Sequence, residues 1–159
     1  MPRVRRATGD DANALALLRY EFRASVNAAT EAEAAFLARA APWMRVRLDG
    51  EGPWHCWVVE EDAGLVAGQL WLQLIEKVPN PLPEREQHAY ITNVYVGPDQ
   101  RGSGAGQALM DAALEFCRER GVDSVILWPT ARSRTLYARN GFAVRDDIME
   151  AILDDGRQL

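Results

Sequence analysis

The amino-acid sequence predicts one α/β domain spanning residues 1–159, and three observations carry that reading. Segments whose apolar residues alternate at a period of two interleave with segments at helical spacing along the chain. The length lies within the roughly 100–200 residues of a typical domain, enough for one core to bury about 70% of the unfolded surface. Hydrophobic residues make up 48% and charged residues 26%, the balance of an ordinary globular protein and not of a collagen, coiled coil or disordered chain.

Val4 to Ala7 reads as a short first strand, and Gly9-Asp10-Asp11 offers an N-cap to a helix carrying Leu15, Leu17, Leu18 and Phe22. A second helix is expected after Thr30, with Glu31 and Glu33 in its first turn, where the helix dipole favours negative charge, and with its end at Pro42. After Gly50-Glu51-Gly52-Pro53 the period changes. Trp54 to Val59 reads as a strand, Glu61 to Gly64 as a tight turn, and Leu65 to Val78 as a long second strand with Leu70, Leu72 and Leu74 on one face. Pro79 to Glu86, with three prolines, must be an exposed loop. His88 to Val96 is the next strand, ended by Gly97-Pro98. A helix follows from Ala105, with Leu109, Ala112, Ala113, Phe116 and Cys117 at helical spacing and Gly121 as its C-terminal stop. Val122 to Trp128 reads as a strand, Ala131 to Arg139 as a short helix and Phe142 to Leu153 as strand-like.

The pattern of the strand His88–Val96 slips in phase: Ile91 lies on one face, Val94 and Val96 on the other, with polar Thr92 and Asn93 between them. A β-bulge produces such a slip, and so does a strand buried on both sides. Behind it runs Arg101-Gly102-Ser103-Gly104-Ala105-Gly106, a glycine-rich loop at the mouth of a helix. Glycines there let the backbone approach a ligand, and the N–H groups of the first helical turn suit phosphate oxygens. A Walker loop would need a Lys that is absent. The dinucleotide fingerprint would need a Gly-x-Gly-x-x-Gly spacing and an acid ending the next strand, whereas Asp123 opens it.

What remains is Arg101-x-x-Gly104-x-Gly106, entered by Val94-Tyr95-Val96-Gly97-Pro98. Here the sequence resembles the GNAT superfamily of N-acetyltransferases, whose acetyl-CoA motif is an Arg/Gln-x-x-Gly-x-Gly/Ala loop after a bulged strand. The stretch Leu136-Tyr137-Ala138-Arg139-Asn140-Gly141-Phe142 is similar to that superfamily's closing Tyr-x-x-x-Gly-Phe, and Arg5 to Asp11 is similar to its opening strand and helix. The resemblance implies a mixed, mostly antiparallel central sheet with helices on both faces and a bulged, splayed strand at the acetyl-CoA site. It implies that the backbone of Val94, Tyr95 and Val96 pairs with the pantetheine arm. The loop Arg101, Gly102, Ser103, Gly104, Ala105, Gly106 would hold the pyrophosphate, and Tyr137 would act as general acid at the departing sulfur. A phenol with an ordinary pKa of about 10 can protonate a thiolate of about 8.5, more easily if the site lowers the former. Many relatives carry an Asn seven residues before the tyrosine; here the pantetheine contact falls to Thr130.

The expected reaction is direct acetyl transfer from acetyl-CoA, used as donor substrate, to the primary amine of a small molecule or peptide in a ternary complex. The alternative is a non-catalytic acyl-CoA-binding or regulatory module of the same fold. The attacking amine must be neutral, so a base is needed. His88, Tyr90, Thr92, Asn93, Glu76, Glu84 and Glu86 are candidates, with His88 favoured by its ordinary pKa of about 6.5. Trp43, Trp54, Trp57, Trp71 and Trp128 could line a pocket or fill the core. A net charge of −5 disfavours nucleic acid and mildly favours a cationic acceptor. The two cysteines, Cys56 and Cys117, and the two histidines, His55 and His88, show no metal-ligand spacing, so no metal is expected. The longest near-apolar stretch, Leu65–Ile75, is too short for a bilayer, and no apolar run follows the first arginines. A cytoplasmic protein is the expectation, free of membrane and nucleic acid, with a homodimer allowed by the resemblance.

Overall fold

A computed structural model of the chain describes residues 3–26 and 31–156. These form two compact units, one through Leu127 and one from Trp128 onward.

The first unit is built on a five-stranded sheet in which sequence order is also spatial order. Its strands are β1 (Arg3–Arg6), β2 (Trp54–Glu60), β3 (Val66–Glu76), β4 (Gln87–Val96) and β5 (Ser124–Ile126). The first three pairings are antiparallel and β4–β5 is parallel, so the sheet is mixed and mostly antiparallel as expected. A parallel pair needs a crossover connection, and α3 (Ala105–Arg120) supplies it. Alternation along β2 divides the two faces. Cys56 and Val58 point with Trp71 into a core shared with Leu15 and Ala16 of α1 (Ala12–Val26) and Met44 of α2 (Glu33–Asp49). Trp57 points the other way and meets Phe116 of α3 at 5.2 Å between ring centroids. Leu109, Met110, Ala113 and Cys117 of α3 are buried. Helices therefore cover both faces.

The start of α1 is fixed by charge. A 3₁₀ turn, Gly9–Asp11, precedes it. The Thr8 N–H donates to Asp11 Oδ2 at 2.8 Å, and Arg5 donates through two nitrogens to the same carboxylate, each at 2.9 Å. Arg5 also pairs with Glu60 on β2, tying strand, turn and helix together. Arg5 holds the Asp11 carboxyl below the usual carboxylate range, outweighing the burial that would raise it.

Three expectations need correction. α2 does not end at Pro42 but runs through it to Asp49. Proline there removes one helical N–H, at a cost of about 3 kcal/mol. The turns beyond it offset that cost by burying Met44 and by setting Trp43 within 5.6 Å of Trp54 and 5.9 Å of Trp71. Thr30, the expected start, lies outside the described residues, and Glu31 precedes the helix and pairs with Arg39. The strand expected over 122–128 shrinks to Ser124–Ile126. Finally, 142–153 carries no strand. Val144, Met149 and Leu153 are 86%, 96% and 95% exposed. Apolar spacing alone cannot make a strand without a neighbour to take its backbone hydrogen bonds. The second unit's regular element is α4 (Arg134–Arg139), and no helix among the described residues is long and apolar enough to cross a membrane.

Candidate active site

The phase slip in β4 is a bulge. Gln69 of β3 faces Tyr95 and Trp71 faces Thr92, which leaves Leu70 alone opposite both Asn93 and Val94. Asn93 takes φ of +53°, a left-handed conformation that Asn tolerates better than branched residues do. The extra residue re-aims the end of the strand: Tyr95 turns to the α1 face and stacks on Phe22 with centroids 5.1 Å apart and rings 7° from parallel. Val94 and Val96 turn to the face of α3. Beneath the bulge lies a buried polar link in which Gln69 donates to the Leu15 carbonyl at 3.0 Å and accepts from Trp71 Nε1 at 2.8 Å.

β5 pairs with β4 only from His88 to Tyr90. From Ile91 to Val96, β4 has β3 on one side and, among the described residues, no strand on the other. This is the splay that the resemblance implied: a short run of sheet edge, bent by a bulge, with backbone groups able to accept an extended ligand arm.

The edge leads into the glycine-rich loop. Gly102 and Gly104 have φ of +80° and +85°, and a Cβ at either would meet no protein atom within 4 Å. Their backbone needs glycine, and the space around them is open to a ligand. The first i→i−4 bond of α3 runs from the Ala108 N–H to the Gly104 carbonyl at 3.0 Å, so the N–H groups of Ala105 and Gly106 precede the helical ladder. Ser103 Oγ donates to the Gln100 carbonyl at 2.5 Å, bracing the loop. Arg101 Nε donates to the Val96 carbonyl at 3.2 Å, and its guanidinium lies 5.7 Å from the Tyr95 ring centroid. Strand end, loop and helix start thus form one continuous, positively biased surface.

The candidate bases separate. His88 stands within the stretch paired to β5, and its Nδ1 lies 2.9 Å from Asp123 Oδ1. It is five residues from Asn93, about 17 Å along an extended strand. Glu84 is engaged by Lys77 at 3.3 Å, and Glu76 pairs in register with Gln87, both at the His88 end of the sheet. Thr92 and Asn93 are at the bulge itself. Sequence reading missed Arg19, whose Nη1 donates to Asn93 Oδ1 at 3.4 Å. Burial, then repulsion from Arg23, lowers the Arg19 pKa without removing its charge. The signal was a cation inside the apolar stripe Leu15, Leu18 and Phe22. Gln69, a polar break in an otherwise apolar strand, was the corresponding signal for the link beneath the bulge.

In the second unit, Thr130 and Ser133 close a turn before α4: their hydroxyls are 2.8 Å apart, and the Thr130 N–H donates to Ser133 Oγ at 3.0 Å. Tyr137 is buried, and its ring packs 5.7 Å from that of Phe142. Burial pushes the phenol pKa up, with Ser133 opposing, so no lowering of that pKa is built in.

The chain's residues 19–142 match the model of the acetyltransferase (GNAT) family. The chain belongs to the GNAT acetyltransferase family. It is 35% identical over 106 residues to a mycothiol acetyltransferase of Beutenbergia cavernae, a match covering 62% of this chain and 32% of that protein. An uncharacterized N-acetyltransferase of Methanocaldococcus jannaschii is 32% identical over 108 residues, 65% of this chain and 44% of that protein. The chain thus spans about a third to under half the length of these relatives. Among solved structures, a GCN5-related N-acetyltransferase from Ralstonia eutropha is similar with a TM-score of 0.73 and 29% identity, over 96% of this chain and 99% of that one. A predicted acetyltransferase from Clostridium acetobutylicum, solved with acetyl-CoA, shares the fold at a TM-score of 0.79 and 21% identity, over 96% and 97% of the two chains.

Proposed function

We propose that this GNAT-family chain is an acetyl-CoA-dependent N-acetyltransferase acting on a primary amine. One observation carries the reading: the bulged stretch of β4, beyond its pairing with β5, runs directly into a positively biased glycine loop at the start of α3. Bound there, acetyl-CoA would supply the activated acetyl group. The backbone of Val94, Tyr95 and Val96 would hold the pantetheine arm as an added strand. The N–H groups of Ala105 and Gly106, with Arg101, would hold the pyrophosphate. In the second unit, burial keeps the Tyr137 phenol protonated, the form a general acid for a departing thiolate needs.

Direct attack by the amine fits the cysteines. Cys56 is fully buried and its thiol is pushed well above the ordinary value, and burial pushes Cys117 to about 11. Neither offers a thiolate to carry an acetyl group between half-reactions.

The acceptor amine is read as losing its proton to solvent, since His88 and the loop acids stand at the far end of β4. Arg19 contributes by its charge, which disfavours an ammonium beside Asn93 and so favours the neutral, attacking form. This local field runs against the expectation of a cationic acceptor drawn from the net charge.

The experiment is a thiol-release assay over a panel of small amines, amino acids and peptide N-termini, with Tyr137→Phe beside the parent. Turnover is expected for at least one amine, with kcat reduced roughly 10²- to 10⁴-fold in the variant. Equal turnover of the two proteins would remove Tyr137 from its role. Acetyl-CoA binding with no turnover anywhere in the panel would favour the non-catalytic module.

A further inference from the structure

At the other end of α3 the first unit holds a cavity of about 380 Å³. It lies where β1 ends, β2 begins and α2 and α3 finish, and α3 separates it from the glycine loop by about 22 Å. Its walls include the side chains of Arg6, Arg47, Arg120, His55 and Trp54, with Glu51 as the one acid among its lining residues. In a chain of net charge −5, three guanidiniums around one cavity are an unusual concentration.

These cations are not neutralised by carboxylates. Among the described residues, none of the three takes part in an ion pair. They rest on rings instead. Arg6 lies 4.6 Å from the Trp57 centroid and 5.2 Å from that of Phe116; Arg120 lies 5.3 Å from the same Phe116 ring, and Arg47 4.1 Å from Trp43. Two like charges are therefore held against one ring, and desolvation followed by repulsion from Arg120 lowers the Arg6 pKa. Cation–π contact offsets part of that repulsion but supplies no counter-charge.

His55 holds one of these cations in place. Arg6 Nη2 lies 2.6 Å from His55 Nδ1. A guanidinium can only donate, so Nδ1 accepts and the imidazole proton sits on Nε2. That Nε2–H is buried and, among the described residues, lacks an acceptor. Three guanidiniums without a carboxylate partner around one cavity are one side of an arrangement whose missing side is an anion.

We propose that this cavity binds a small oxyanion-bearing molecule, a carboxylate or a phosphate, between Arg6, Arg47 and Arg120, at a site separate from acyl transfer. The planar guanidinium fork matches either group bidentately, and the volume suits a small organic acid or phosphate ester.

The test titrates the full chain with inorganic phosphate and, separately, with citrate, each against sodium chloride at equal ionic strength. Thermal unfolding and the ¹⁵N–¹H resonances of His55 are followed. At least one probe is expected to give saturable stabilisation beyond the chloride control and to shift the His55 ring resonances through Arg6, which contacts Nδ1. Arg120→Gln, at an exposed helix end where folding is not at stake, and Arg47→Gln are each expected to weaken apparent affinity roughly tenfold. Arg101→Gln, in the glycine loop, is expected to leave it unchanged. Which probe binds tells phosphate from carboxylate. Absence of any saturable effect over chloride overturns the proposal, as does an effect abolished by Arg101→Gln and retained by Arg120→Gln. Neither arm contains acetyl-CoA, so the outcome is independent of the proposed transfer reaction.

Discussion

Asn93 is the residue on which the site's geometry turns. Its positive φ lets β4 carry two residues opposite Leu70, and so re-aims Tyr95 onto Phe22. A β-branched side chain at the same angle is strained. Asn93→Val is expected to cost about 1–2 kcal/mol of stability in chemical denaturation, whereas Asn93→Gly should cost less. Equal stabilities for the two variants would mean that the backbone at 93 is not constrained as described. Arg19 beside it acts through charge. Arg19→Met is expected to move the pH profile of kcat/KM for an alkylamine to higher pH, on the order of one unit, because the ammonium no longer sits beside a half-buried cation. An unmoved profile would leave Arg19 with packing alone.

At the scale of elements, the Arg5–Asp11–Glu60 group joins β1, the turn before α1 and β2. Asp11 has a lower pKa folded than unfolded, so the unfolded chain binds the proton more readily and stability rises with pH across this range. The contribution is complete above the ordinary value near 4 and is lost as pH falls through the depressed value. Asp11→Asn should cost about 2 kcal/mol at pH 7 by urea unfolding, and the gap between variant and parent should close below about pH 4. A gap of constant size down to pH 2 would show that the charge of Asp11 does not matter.

The same scale shows what was legible in the sequence. The change of face between Ile91 and Val94 was, because it is written in which residues are apolar, but that pattern fits a strand buried on both sides as well as a bulge, and the pairing with β3 decides for the bulge. The glycine loop was too, because its φ values admit little else. The extension of α2 past Pro42 was hidden, since it depends on Trp43 meeting Trp54 and Trp71, residues distant in sequence. The stretch 142–153 has strand-like spacing, but spacing cannot say whether a partner strand exists. His88 is close to the bulge in sequence and far from it along the extended strand.

For the whole molecule, the net charge of −5 proved a poor guide to local fields. Cations gather at Arg101 by the loop, at Arg19 by the bulge and around the cavity at the far end of α3. The fold and family rest on matches spanning most of the chain, while the transfer reaction rests on the edge and loop of one sheet. Binding of acetyl-CoA to that edge and loop is the central claim, and thermal unfolding with and without it is the direct measurement. At a hundred times Kd the ligand is expected to stabilise the parent by about 2.7 kcal/mol. Gly104→Val, which strains the loop and fills its open space, should lose most of that gain while its own unfolding remains cooperative. A parent whose unfolding temperature is the same with saturating acetyl-CoA as without it would contradict the account.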